Sequence, residues 1–264
     1  MTLTSIIRDY IDNIKKYKYL MSILVRKDFK KKYKDSVLGV LWSFLNPLLI
    51  MIIMTIIFSN LFGTQIANFP VYLLTAKLLL DFFKSSTNQG MRSMRAHAGL
   101  IKKVPMPRYI FTAAKVNSNF VFFLISLTVL ISVMIVTTHG ITWYVLYAPI
   151  FLIFLYFMCF GASLILATIM VFFRDIEHLH AVAMTALSYA SVIFYPVEII
   201  PEEYRFLLLF NPVYYYIEGF RQVVYYGLPP DWTNIVMCIV LGVGATILGM
   251  YVFQKHQDKF ILHV

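Results

Sequence analysis

Leu38-Gly39-Val40-Leu41-Trp42-Ser43-Phe44-Leu45-Asn46-Pro47-Leu48-Leu49-Ile50-Met51-Ile52-Ile53-Met54-Thr55-Ile56-Ile57-Phe58 runs without a single charged side chain. About 20 such residues in a helix cross the hydrocarbon core of a bilayer, so the stretch reads as a membrane span. Asn46-Pro47 interrupts it, and a proline inside a helix removes a backbone hydrogen bond, which predicts a kink. Immediately upstream lies Arg26-Lys27-Asp28-Phe29-Lys30-Lys31-Lys32-Tyr33-Lys34, where Arg26, Lys30 and Lys34 fall at four-residue steps on one helix face.

The rest of the chain has the same character. Of 264 residues, 60% are hydrophobic and 14% are charged, and mean hydropathy is +0.74. A soluble domain needs about a quarter charged residues to cover its surface, so lipid is the solvent here and the fold class is an all-α membrane protein. Further spans are expected at about 69–91, 109–136, 143–173, 179–195 and 235–253, making six transmembrane helices. The second is the least regular, because it contains Lys77, Asp81 and Lys84. A lone charge near the bilayer centre costs about 2.5–3.5 kcal/mol. Lys77 and Asp81, one turn apart, are therefore expected to pair or to face a wet cavity. The alternative is that the helix starts later and Lys77 snorkels to the surface.

Residues 3–21 place Leu3, Ile6, Ile7, Tyr10, Ile11 and Ile14 at three- and four-residue steps, with Arg8, Asp9, Asp12, Lys15 and Lys16 opposite. This pattern reads as an N-terminal amphipathic helix in the membrane interface, although a helix docked on a soluble partner would look alike. The first twenty residues lack the compact apolar core of a cleavable leader, so the first span is expected to persist in the mature protein.

The net charge of +10 is concentrated in 8–34 and 92–108, each beside an apolar run. Such basic loops mark the cytoplasmic side facing anionic lipid rather than a nucleic-acid surface, and they put both termini in the cytoplasm. Between the fifth and sixth spans, Pro201-Glu202-Glu203 reads as a helix start that stops at Asn211-Pro212. A second aromatic piece over 213–226 ends at Gly227. Both pieces are too short to span. They read as short re-entrant helices dipping into the outer leaflet, or as an amphipathic surface loop.

Several chemistries are absent. No glycine is followed by lysine, so a phosphate-cradling P-loop is excluded, and no Ser-His-Asp or paired-carboxylate arrangement stands out. No catalytic residue and no metal site is assigned: His178 and His180 sit in a tight turn without a second cluster. Cys159 and Cys238 lie inside apolar runs and read as membrane-embedded hydrophobes.

Motifs now assemble in order: Arg26-Lys27-Asp28-Phe29-Lys30, Tyr33-Lys34-Asp35-Ser36-Val37-Leu38-Gly39-Val40-Leu41-Trp42-Ser43 and Asn46-Pro47-Leu48. Leu100-Ile101-Lys102-Lys103-Val104-Pro105-Met106-Pro107-Arg108, Phe173-Arg174-Asp175-Ile176 and Ile200-Pro201-Glu202-Glu203-Tyr204-Arg205 follow. Asn211-Pro212, Glu218-Gly219-Phe220-Arg221 and Tyr226-Gly227 complete the series. Together they resemble the ABC-2 type polysaccharide export permeases, the membrane subunits that export O-antigen, capsule or wall teichoic acid. Thr75-Ala76-Lys77-Leu78-Leu79-Leu80-Asp81 departs from that pattern, where relatives usually have an uncharged stretch with glycine and an aromatic.

The resemblance implies one transmembrane domain over 1–264. Residues 1–35 would be cytoplasmic interface and gate helices, 36–253 the six-helix bundle and 254–264 a cytoplasmic tail. It implies a homodimer in the bacterial cytoplasmic membrane with two separate ATPase subunits. ATP and Mg would sit on those partners, this chain carrying no cofactor, and the substrate would be a glycan on undecaprenyl pyrophosphate. Arg26, Lys30 and Lys34 then suit a diphosphate headgroup, though the same stripe could merely orient the helix at anionic lipid. Arg95, Leu100, Ile101, Lys102, Lys103 and Arg108 form the expected contact with the ATPase. Trp42, Phe44, Tyr189, Phe194, Tyr195, Tyr214, Tyr215 and Tyr216 could make a glycan lane, since sugar rings stack on flat apolar faces. Interface anchoring explains the outer tyrosines equally well. An ABC-2 exporter of a drug or lipid is the nearest rival. A polymer-handling membrane enzyme would need a soluble acidic metal site, and a secondary transporter would show an internal repeat.

Overall fold

The structure, a computed structural model, describes residues 13, 15–34, 36–62, 66–102 and 106–260. Most of the interface helix expected at 3–21, and Lys103 of the linker, lie outside the described residues. Among these residues are ten α-helices: α1 (Lys18–Tyr33), α2 (Trp42–Phe62), α3 (Phe69–Ala96), α4 (Ala98–Ile101), α5 (Tyr109–Val136), α6 (Ala148–Phe172), α7 (Ile176–Ala190), α8 (Glu202–Leu209), α9 (Pro212–Val224) and α10 (Trp232–His256). Among the described residues there is no strand.

Local chemistry sets the boundaries. Gly39, at φ +48°, turns the chain into a short 3-10 segment before α2, and α2 then continues through Pro47 to Phe62. Asn68 takes the left-handed conformation at φ 50°, which asparagine tolerates, and Pro70 follows inside the first turn of α3. The Asn211 side chain accepts a hydrogen bond from the Val213 amide at 3.0 Å, and Asp231 accepts from the Thr233 amide at 3.1 Å, capping α9 and α10.

Among the described residues, four helical stretches are long and apolar enough to cross a membrane: Gly39–Phe58, Tyr109–Val136, Trp143–Phe172 and Trp232–Lys259. They correspond to the first, third, fourth and sixth expected spans. The second corresponds to α3, whose 28 residues suffice in length but include Lys77, Asp81, Lys84, Arg92 and Arg95. The fifth differs most. It begins three residues earlier, at Ile176, and the helix stops at Ala190 rather than 195. Fifteen residues give about 22 Å of helix, less than a bilayer core. Val192, just beyond, has φ +51°, which ends the helix.

The packing explains why α3 can carry charge. It lies at the centre, against α2, α5, α6 and α9, so protein rather than lipid surrounds most of it. Val71, Leu73, Leu74, Ala76 and Leu79 are each fully buried. α10 lies along α6, where glycines let the backbones approach. A Cβ on Gly161 would strike the Ala245 and Thr246 backbone, and one on Gly249 would strike Gly161.

Candidate functional site

Apart from Pro70, Gln89 and Ala96, α3 leaves uncovered one stripe: Lys77, Asp81, Lys84, Ser85, Asn88, Arg92 and Arg95. Steps of three and four residues put these on a single helix face. Lys77 Nζ lies 2.7 Å from Asp81 Oδ2, with the lysine side chain 17% exposed and the aspartate 47%. Farther along, Lys84 donates to the Ser188 hydroxyl on α7. His180 Nε2 stands 2.9 Å from Thr87 Oγ1, and Arg92 reaches Glu177 at 2.5 Å. These three polar contacts hold α7 along α3, while Leu179, Val182 and Tyr189 of α7 remain exposed.

The Lys77–Lys84 face opens into a cavity of 540 Å³ between α1, α2, α3 and α5. Trp42, Ser43, Asn46 and Pro47 of α2 form one wall, Asn119, Phe122 and Ser126 of α5 another, and Lys32 closes the end near α1. The Lys32 amine stands 3.7 Å from the centroid of the Phe122 ring, and partial burial pushes its pKa below the ordinary lysine range. Three amines and one carboxylate thus line a hollow of mixed polar and apolar side chains beside the most buried helix of the bundle.

α1 is locked to this wall. Phe29 packs on Phe122 with ring centroids 4.3 Å apart, and the Tyr33 and Ser43 hydroxyls are hydrogen-bonded. Lys115 Nζ meets Asp28 Oδ1 at 2.5 Å, with both side chains under 20% exposed, and Ser118 donates to the other carboxylate oxygen at 3.0 Å.

The sequence-predicted residues divide. Arg26 and Lys30 line a separate open groove on α1 with Ile23, Val25, Lys27 and Phe29; together with Lys34 they are exposed and do not line the α3 cavity. Trp42 does line that cavity, whereas Phe44 packs against the core. Tyr189 ends α7, and its carbonyl accepts from the Tyr195 hydroxyl at 2.5 Å. Phe194 lies past the helix and stacks on Phe58 at 5.3 Å.

Two lane residues need correcting. Tyr216 is fully buried and donates to the Cys238 carbonyl at 2.8 Å, and Tyr215 is 8% exposed and donates to the Leu209 carbonyl at 3.1 Å. Neither presents a ring face to a sliding chain, because the bundle has consumed both faces. Tyr214 keeps partial exposure. In the linker, Arg95 belongs to the last turn of α3, Ile101 is 6% exposed, Leu100 faces outward, and Lys102 follows α4. Arg108 stands 4.0 Å from Asp258.

Arg221, in the Glu218-Gly219-Phe220-Arg221 motif but without a role assigned from sequence, is 1% exposed. It donates to the carbonyls of Val192 at 2.8 Å and of Tyr72 and Ile193 at 3.3 Å each, and its guanidinium carbon lies 3.6 Å from the Tyr72 ring centroid. The turn after α7 is thereby fastened to α3 and α9. The available signal was one arginine among the apolar residues of 213–224.

An all-helical bundle with several membrane-crossing helices, no nucleotide-binding loop and a charged hollow beside its central helix has the build of a transport subunit. Residues 19–225 match the ABC-2 type transporter family, and the chain belongs to it. Among its relatives, an O-antigen export system permease protein of Klebsiella pneumoniae is 30% identical over 243 residues, 91% of this chain and 93% of that protein. One of Myxococcus xanthus is 26% identical over 246 residues, 92% and 95% of the two chains. A polysialic acid transport protein of Escherichia coli is 20% identical over 248 residues, 92% and 96% of the two.

Proposed function

We propose that this chain is the permease subunit of an ATP-driven exporter that moves a polysaccharide across the bacterial cytoplasmic membrane. The glycan is of the O-antigen, capsule or wall teichoic acid kind, carried on undecaprenyl pyrophosphate. Energy comes from two ATPase subunits that bind ATP and Mg; this chain has no P-loop of its own. Six crossings, with α3 and the segment from α7 through the turn at 191–195 completing the four apolar ones, leave both ends in the cytoplasm beside the basic segments. α8 and α9 enter the outer leaflet and return.

The observation that carries this reading is the polar stripe of α3. Asp81 is half exposed at the edge of the cavity, while α2 and α7 beside it present Ile52, Ile53, Ile56, Leu179 and Val182 outward. Lipid is a poor solvent for an exposed carboxylate. A second copy set against α2 and α7 would enclose the stripe in a wet lane, which supports a homodimer. Such a lane suits a long polymer, because weak contacts along a continuous path let a chain slide where a closed pocket would have to swallow it.

The test is reconstitution. The purified chain alone should hydrolyse no ATP, and hydrolysis with glycan export should appear when its ATPase partner is added. Leu100→Asp, the outward-facing residue of α4, should uncouple the two. Export without the partner, or undiminished assembly and export by Leu100→Asp, would contradict the proposal or its docking surface respectively.

A further inference from the structure

The departure at the second span falls on the cavity wall, where the charges are unbalanced. Lys32, Lys77 and Lys84 face it, and Asp81 is the one carboxylate among its described lining residues. Two positive charges remain uncompensated. Asp81 is already bonded to Lys77, and Lys84 has found a serine hydroxyl. Counting from Phe69, Lys77 and Lys84 sit about 12 Å and about 22 Å along α3, within the depth of a hydrocarbon core. Excess cationic charge at that depth is costly unless something anionic visits it. Around the amines are the indole of Trp42, which is 45% exposed, and the amide of Asn46, while Ser43, Asn119 and Ser126 line the cavity with their side chains already hydrogen-bonded within the bundle. A flat aromatic face beside an amide is what a sugar next to an anion would require, and Trp42 supplies that face.

We infer that this cavity is an anion site inside the membrane, in which Lys32, Lys77 and Lys84 receive a phosphate-bearing group of the substrate. Asp81 holds Lys77 until that group arrives. The inference rests on the export reading for its substrate but not for its chemistry. A diphosphate diester carries two negative charges at neutral pH and matches the excess. That group could be the diphosphate joining the glycan to its lipid, or phosphates within the polymer repeat. Asp81 competes with the ligand for one amine, which keeps Lys77 satisfied in the empty state and lets the anion leave again.

Trp42 lines the cavity and serves as its reporter. Trp143 and Trp232 are 86% and 73% exposed, so Trp143→Phe and Trp232→Phe remove the competing signals at little structural cost. The full chain, in micelles containing phosphatidylglycerol, is titrated with farnesyl diphosphate, with farnesol and with an oligomer of glycerol phosphate. A saturable Trp42 response to farnesyl diphosphate alone assigns the lipid diphosphate, and a response to the oligomer assigns the polymer repeat. Lys84→Gln should weaken binding about tenfold, the loss of one charge-assisted contact, while Lys84→Arg retains it. Asp81→Asn should bind more tightly, because Lys77 is released, whereas a purely structural Asp81 would give weaker binding or none. Equal responses to farnesol and farnesyl diphosphate, no response to either phosphate probe, or indifference to Lys84→Gln would overturn the site. Export measured alongside separates the two claims. A Trp42 response in a wild-type complex that exports no glycan removes the export reading and leaves the site. Normal export by Lys84→Gln without any phosphate response removes the site and leaves the export reading.

Discussion

A guanidinium cannot shed its charge in a protein, so burying one without a carboxylate requires several carbonyl oxygens in a fixed fork. Arg221 meets that requirement at its two terminal nitrogens with Val192, Ile193 and Tyr72, while its Nε is left unpaired. In return it holds Val192 in the left-handed region, which costs a β-branched residue about 1–2 kcal/mol. Arg221→Met should therefore lower stability by about 3 kcal/mol, read as thermal unfolding in micelles. Arg221→Lys should recover only part, because an ammonium cannot reproduce the fork. His97 makes a different prediction. It stacks on Phe111 at 4.7 Å, and its Nδ1 lies 2.9 Å from the Ser93 carbonyl. Burial pushes the imidazole below the ordinary histidine range. The unfolded chain then binds a proton that the folded chain refuses, so this contribution is intact above pH about 6.5 and is lost as the pH falls below it. His97→Gln should flatten unfolding temperature against pH between about 7 and 5; an unchanged slope would place the acid sensitivity elsewhere.

At the scale of helices, the seam between α6 and α10 gives a matched pair of substitutions within one helix. Gly244 has open space where a Cβ would go, while Gly249 has the Gly161 backbone there. Gly244→Ala should be tolerated or should stabilise by up to about 1 kcal/mol through helix propensity alone. Gly249→Ala should cost about 1–3 kcal/mol from overpacking, measured by the same unfolding assay. Equal behaviour would mean that the two helices do not pack through this seam. Apolar length made the helices themselves legible in the sequence: α2, α5, α6 and α10 follow from runs of about twenty residues. Hydropathy is a poor guide to α3, because a helix surrounded by protein need not satisfy lipid. Its charges made it look like the weakest span, yet it is the most enclosed. Spacing held one further clue, since Lys84 stands seven residues after Lys77 on the same face as Asp81. Lys32 and Asn119 could not be added that way, because they come from other helices and only packing brings them to the cavity. The fifth span ended early for a related reason: Val192 turns left-handed just past Ala190, Pro196 has no N–H to bond the Val192 carbonyl, and Arg221, about thirty residues downstream, takes that carbonyl instead.

For the whole molecule, the proposed export path requires α3 to cross the membrane with its one polar stripe facing water rather than lipid. Its dense burial, the cavity at its side and the apolar flanks of α2 and α7 support that placement. The aromatic lane is shorter than the sequence suggested, because Tyr215 and Tyr216 are committed to the core. Trp42, in the cavity wall, remains open to a passing sugar. The most direct measurement is thiol accessibility in the assembled transporter, in a Cys159→Ser, Cys238→Ser background. Ser85→Cys, on the stripe, should react with a water-soluble, membrane-impermeant reagent and be protected by the glycan, while Leu79→Cys, fully buried on the opposite face, should not react. An inert Ser85→Cys in every nucleotide state, alongside a reactive exposed control such as Trp143→Cys, would place the stripe against lipid or protein and contradict the account.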